Sequence, residues 1–222
     1  MPDSVFPWSD IDTVLLDMDG TLLDLHFDNY FWLTHLPQVF SQKYSVDYDD
    51  AMKDLHQRFN NKRGSMDWYC LDFWTEQLQM DVVNLKHDVK DKIAIRPFVE
   101  TFLLFLRAQG KHIVLLTNAH RDSLDLKMQE TDLAGFFDQI ISTHDYGLPK
   151  ENLALWSALQ ADCHFDPQRT LLIDDTETVL DSAKSYGIKH LLTLLQPDSQ
   201  NPERDGLQYP SIHHFDEIMP RD

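Results

Sequence analysis

The hydrophobic positions of this chain fall into two textures. In the first, short runs of branched apolar residues are unbroken: Val14-Leu15-Leu16, and the stretches 112–118, 139–145, 169–175 and 189–195. Unbroken runs of this length suit parallel strands buried on both faces. Between them lie segments with helical spacing. One opens at Arg96-Pro97, with proline at the tolerated first position, carries Phe98, Phe102, Phe105 and Leu106, and stops at Gly110. Others span about 121–134, 150–161 (Leu153, Trp156, Leu159) and 176–186 before Gly187. Strands alternating with helices predict an α/β protein: a doubly wound parallel sheet, Rossmann-like, with right-handed crossovers. The tail from Gln196, rich in Pro, Asp, Ser and Asn, reads as loop, with a short closing helix over 212–219.

The second texture occupies residues 24–95. Strand-like runs vanish and aromatics recur at helical spacing. Phe27, Tyr30 and Phe31 form one stripe; Met66, Tyr69, Cys70, Phe73 and Trp74 form another, at the i, i+3, i+4, i+7, i+8 spacing of one buried helix face. The stretch 47–59 reads as a helix with an acidic first turn. The expected organisation is therefore an α/β core of residues 1–23 and 96–222, with a helical cap, 24–95, inserted after the first strand.

Composition narrows the function. With 222 residues, 42% of them hydrophobic, the chain can bury a substantial core. Its 19 basic and 37 acidic residues give a formal charge of −18, which opposes binding to nucleic acid or anionic membranes. Cys70 and Cys163 offer no disulfide framework. With no signal-like N-terminus and no long apolar run, a cytoplasmic location is expected.

The candidate chemistry gathers at the strands' carboxyl ends, where ligands sit in open α/β sheets. The first run halts at Asp17-Met-Asp19-Gly20-Thr21. A chain continuing extended would aim Asp17 and Asp19 to one side. Adjacent carboxylates on a buried strand end call for a cation, and Mg²⁺ suits two carboxylates plus phosphate oxygens. A calcium loop would need Gly at the sixth position and Glu at the twelfth; here glycine is fourth and Asp28 is twelfth. The second strand ends in Thr117 and Asn118, the third is followed by Lys150, and the fourth ends in Asp174 and Asp175. The scattered histidines, including His112, His120 and the His213-His214 pair, lack metal-ligand spacing and read as structural.

These four motifs, in this order, resemble those of the haloacid dehalogenase superfamily of phosphohydrolases. The resemblance implies Asp17 as nucleophile and Asp19 as general acid and base. It also implies Mg²⁺ held by Asp17, the main-chain carbonyl of Asp19, Asp174 and Asp175, with phosphate bound by Thr21, Thr117, Asn118 and Lys150. Many relatives carry Asp or Asn four residues beyond the last metal ligand; this chain has Val179 there, with Asp181 further on. Residues 24–32, 68–72 and 116–120, with Asn152 after Pro149-Lys150, are also similar to bacterial nucleotidases. That narrower similarity implies a small phosphate monoester substrate, a purine nucleoside 5′-monophosphate such as GMP or IMP. Asn29, Trp32, Arg63 and Trp68 are candidates to meet the base. The alternatives are a phosphatase or phosphomutase for another phosphometabolite, and a phospho-aspartate regulator without turnover.

Overall fold

The computed structural model describes residues 6–220. Six parallel strands form one sheet in the order β3-β2-β1-β4-β5-β6. They are β1 (Thr13–Leu16), β2 (His112–Thr117), β3 (Gln139–Ser142), β4 (Thr170–Ile173), β5 (His190–Leu194) and β6 (Ser211–Ile212). Leu15 of β1 is paired with Val114 on one side and Leu172 on the other, so the first strand lies mid-sheet.

Strand alternation sorts these apolar runs into two cores. Val14, Leu16, Ile113, Leu115, Leu171 and Ile173 face helix α7 (Val99–Ala108), through Phe102, Leu103 and Leu106. Leu15, Val114, Leu116 and Leu172 face α9 (Leu153–Cys163) and α10 (Glu177–Tyr186), through Trp156, Leu159, Leu180 and Ala183. Helix α8 (Arg121–Thr131) follows β2 and adds Leu124 to the first core. Covered on both faces, the sheet leaves its carboxyl edge as the open surface.

Between β1 and α7 the chain builds six helices: α1 (His26–Tyr30), α2 (Leu36–Tyr44), α3 (Tyr48–Asn60), α4 (Met66–Tyr69), α5 (Leu71–Leu78) and α6 (Val82–His87). A single π-helical turn, Phe31–His35, joins α1 to α2. The six share a third core of Phe27, Phe31, Leu55, Phe59, Trp74 and Leu78, to which Leu126 of α8 contributes from the sheet side. Asp47 caps α3 by accepting from the main-chain N–H of Asp49.

Several expected elements differ in detail. The stripe from Met66 to Trp74 is two helices, not one. Cys70 is extended (φ −87°, ψ 111°) and its thiol caps α5, so the buried face of that helix is Leu71, Trp74 and Leu78. The helix expected from Pro97 begins at Val99, because Phe98 takes a left-handed conformation (φ 64°) at the cap. Lys150 precedes α9 rather than opening it; Asn152 is the cap, accepting from Ala154 N–H. The third strand stops at Ser142, and Thr143–Tyr146 is a 3₁₀ turn. Within the tail, β6 joins β5, and the closing helix is a 3₁₀ turn, Phe215–Ile218. Two strand residues carry too little periodicity to be read from sequence.

Candidate active site

Asp17 continues the ladder one residue past β1, its N–H bonded to Ile173 O at 3.0 Å. The chain then turns at Met18, so the extended geometry expected for Asp17 and Asp19 does not persist. Their carboxylates open on one cavity of about 880 Å³ but reach different lysines. Lys150 Nζ lies 2.5 Å from Asp17 Oδ1, 2.7 Å from Asp174 Oδ2 and 3.2 Å from Leu116 O. Lys127 Nζ, on α8, lies 2.6 Å from Asp19 Oδ1 and 2.6 Å from Asp28 Oδ2.

The main chain fixes this arrangement. Gly20 adopts φ +81°, and a Cβ there would sit 2.8 Å from Asp175 Oδ2, so only glycine lets the first loop approach the fourth strand. Asn118 is spent as a brace. Its Oδ1 accepts from the Thr143 hydroxyl and Lys150 N–H, each at 2.9 Å, and its Nδ2 donates to Glu151 at 3.0 Å. Those bonds hold the turn that aims Lys150 inward. Thr117 is buried, its hydroxyl oxygen accepting from Ala119 N–H at 3.0 Å. Thr21 is fully buried beside Asp17, behind the cavity wall rather than in it.

Three of the expected acids converge. Asp17, Asp174 and Asp175 each offer a carboxylate oxygen within 4.8 Å of the others. Asp174 has both oxygens engaged, one by Lys150 and one by Thr176 N–H at 2.9 Å. Asp175 meets the Thr176 hydroxyl at 3.1 Å and, among the described residues, no cation. Asp17 Oδ2 is buried with no hydrogen-bond partner among the described residues. A hard dication matches this need: oxygen donors, excess negative charge and an unpaired buried carboxylate oxygen. Asp181 lies aside, bound by the Tyr209 hydroxyl, and Val179 packs in the core.

Electrostatics follow from burial. Desolvation raises Asp17, only partly countered by Lys150, to a pKa of about 6. Asp19 is also pushed up to about 6, by burial first, with Lys127 opposing and Asp28 and Asp17 adding repulsion. Burial acts to raise Asp28 as well, but Lys127 and Lys86 overcome it and hold that carboxyl well below its ordinary range. Asp175 is driven well above the usual value by burial and by Asp17 and Asp174.

Sequence reasoning missed the buried chain Asp19–Lys127–Asp28–Lys86, in which Lys86 Nζ lies 2.6 Å from Asp28 Oδ1. The available signal was Lys127 itself, four residues after Ser123 on the buried face of α8. Away from the acids, the cavity is walled by Trp32, Phe59, Trp68 and Trp74, with Arg63 among its lining residues. Asn29 also lines it, but donates its amide to Asp198 at 2.7 Å.

Comparison with known proteins identifies the class. A family model described as haloacid dehalogenase-like hydrolase matches residues 11–187, and the chain belongs to that family of hydrolytic enzymes. It is 40% identical over 213 residues, 96% of either chain, to the GMP/IMP nucleotidase YrfG of Escherichia coli and, to the same extent, to that of Shigella flexneri. Among solved structures, a HAD phosphatase from Thermococcus onnurineus superposes with a TM-score of 0.74 at 22% identity, covering 90% of this chain and 92% of its own. The L-2-haloacid dehalogenase of Xanthobacter autotrophicus gives 0.58 at 16% identity, covering 86% and 80%. These two share the fold.

Proposed function

We propose that this enzyme is a Mg²⁺-dependent phosphatase that hydrolyses purine nucleoside 5′-monophosphates, GMP and IMP, to nucleoside and phosphate. The observation that carries the reading is Asp17 at the cavity floor, one carboxylate oxygen held by Lys150 and the other unpartnered. The sheet domain (1–23 and 96–222) supplies the chemistry, and the helical cap (24–95) the wall against the base.

Asp17 attacks phosphorus, forming an aspartyl-phosphate as the bond to O5′ breaks. Asp19 gives its proton to the departing O5′, then takes one from the water that attacks the phosphoenzyme. A pKa near 6 suits a group that must do both near neutrality. Lys150, the Thr117 hydroxyl and the main-chain N–H of Asn118 meet the phosphoryl oxygens. Asp17, Asp175 and the Asp19 carbonyl would hold Mg²⁺, with Asp174 acting through Lys150 and Thr176. When bound, the ion neutralises charge on the transferring phosphoryl group.

The cap wall supports the purine. Aromatic faces suit a flat base. Among the described residues, Arg63 and the indole N–H groups of Trp32 and Trp68 have no hydrogen-bond acceptor, so free donors stand beside the aromatic faces. A 6-oxopurine edge presents two acceptors, O6 and N7, whereas adenine presents one acceptor and one donor.

Phosphate release measured across nucleotides, sugar phosphates and other monoesters tests this directly. GMP and IMP should lead, EDTA should abolish turnover and Mg²⁺ should restore it. Asp17→Asn should lose turnover by at least about 10⁴-fold while staying folded. A panel led by sugar phosphates would reject the substrate, and turnover by Asp17→Asn would reject the nucleophile.

A further inference from the structure

Two imidazoles and a thiol meet at the seam between the helical insert and the sheet, outside the carboxylate cluster. Cys70 sits at the break between α4 and α5. His120 caps α8, and His144 lies in the turn after β3. Each offers one donor atom within 4.8 Å of the other two. The two rings are edge to face, their centroids 5.0 Å apart. We propose that Cys70, His120 and His144 form a second metal site, selective for Zn²⁺, that fastens the cap to the core when filled.

The contacts are poorly explained as packing. His144 Nε2 is buried without a hydrogen-bond partner among the described residues, a costly state for an imidazole nitrogen unless something occupies its lone pair. His120 is flanked on both nitrogens: Asp72 Oδ2 is 3.5 Å from Nε2 and Asp122 Oδ2 is 3.4 Å from Nδ1. Asp122 N–H also donates to Nδ1 at 3.4 Å, so the ring's orientation is fixed from its own helix, with Nε2 turned toward Asp72. The Cys70 sulfur already accepts from Phe73 N–H at 3.4 Å, which fixes its place at the start of α5.

The donor set decides the metal. One sulfur and two imidazole nitrogens favour Zn²⁺ and disfavour Mg²⁺, the reverse of the all-oxygen cluster at Asp17. Zinc bond lengths of about 2.0–2.3 Å place tetrahedral donors about 3.3–3.6 Å apart. From at most 4.8 Å, the three side chains need draw in by about 1 Å or a little more. A fourth position is left for water or for Asp72, whose carboxylate is already at the site.

Connectivity gives the consequence. Cys70 belongs to the helical insert, while His120 and His144 hang from β2 and β3. A bound ion therefore cross-links the two units at the rim of the cavity, which His120 lines. Zinc should hold the cap down and slow the exchange of substrate and product.

The experiment uses the full-length enzyme in excess Mg²⁺, so that the carboxylate cluster is already occupied. Zn²⁺ should bind at one equivalent by calorimetry, and Co²⁺ alone should give a near-ultraviolet thiolate-to-metal charge-transfer band. Cys70→Ser and His144→Gln should each weaken Zn²⁺ binding by at least about 100-fold and abolish the band, while Cys163→Ser keeps both. Zn²⁺ should inhibit turnover of the native enzyme and spare Cys70→Ser, whose Mg²⁺-supported activity is otherwise unchanged. Native-like zinc affinity in both variants would overturn the site, and so would a band that follows Cys163. Equal inhibition of the native enzyme and Cys70→Ser would overturn the fastening role. Metal binding is read without reference to turnover, so its outcome stands apart from the substrate assignment. Circular dichroism establishes that each variant is folded, and His144→Gln decides should Cys70→Ser fail to fold.

Discussion

Arg63 differs from the other arginines of the described chain. Arg58, Arg121 and Arg169 pair with carboxylates, and Arg96, Arg107 and Arg204 donate to main-chain carbonyls. Arg63 has neither, and stands 5.7 Å from the Trp68 ring at the cavity. A guanidinium placed there can donate two bonds to O6 and N7 of a 6-oxopurine, a contact worth about 1–3 kcal/mol of discrimination. Arg63→Met should therefore lower kcat/KM for GMP and IMP by roughly 10–100-fold and leave AMP within about twofold. Steady-state kinetics on the three nucleotides decide it, since equal losses on GMP and AMP would leave Arg63 no part in reading the base. A GMP analogue lacking N7 adds a second arm: it should be a poorer substrate for the native enzyme and no poorer for the variant.

At the scale of elements, the conspicuous feature is charge buried between helices. Lys127 of α8 and Lys86 of α6 are almost wholly inaccessible, and Asp28 of α1 joins them. The chain of contacts runs from Asp19 into the insert, so three helices share the task of holding the Asp19 carboxylate. Lys127→Met leaves Asp19 and Asp28 facing each other without their common cation. Breaking such a pair costs about 3–5 kcal/mol, which should lower the melting temperature by roughly 6–20 °C. Turnover of nucleotides should fall in kcat, because a misplaced Asp19 protonates O5′ poorly. Hydrolysis of p-nitrophenyl phosphate, whose leaving group needs no proton, should fall much less. A parallel loss on both substrates would mean that Lys127 supports the fold and not Asp19. This network marks where sequence reading stops. The sheet was legible because five strands are unbroken apolar runs, and the site because its acids, Thr117 and Lys150 follow those runs at one edge. Lys127, Asp28 and Lys86 are 58 or more residues from at least one of the groups they touch, and a charge on an apolar helix face carries no sign of what it meets. The same holds for Cys70, His120 and His144, which only the closed fold brings together. The break at Cys70 hid behind a periodicity that ran straight through it.

For the molecule as a whole, the site is a local excess of negative charge within a chain already at −18, and it should cost stability whenever no metal is bound. Asp175 is the sharpest instance, pressed by burial and two neighbouring acids and touching no cation among the described residues. A carboxyl whose folded pKa exceeds its unfolded value favours the folded state below about pH 4 and loses that contribution as pH rises through the folded value. Asp17 and Asp19, both near 6, act in the same sense between about pH 4 and 6, each by up to about 3 kcal/mol. Asp175→Asn removes one such charge and keeps the shape. Without metal, the variant should match the native enzyme near pH 4 and melt several degrees higher at pH 8, the gap opening as the native carboxyl ionises. Saturating Mg²⁺ should close or invert that gap, because the native site gains binding energy on metal that the variant has largely lost. Scanning calorimetry across that pH range, with and without Mg²⁺, separates the outcomes. A variant that melts below the native enzyme at pH 8 without metal would show that Asp175 is not strained in the empty site, and the electrostatic case for a divalent ion would then lose its strongest support.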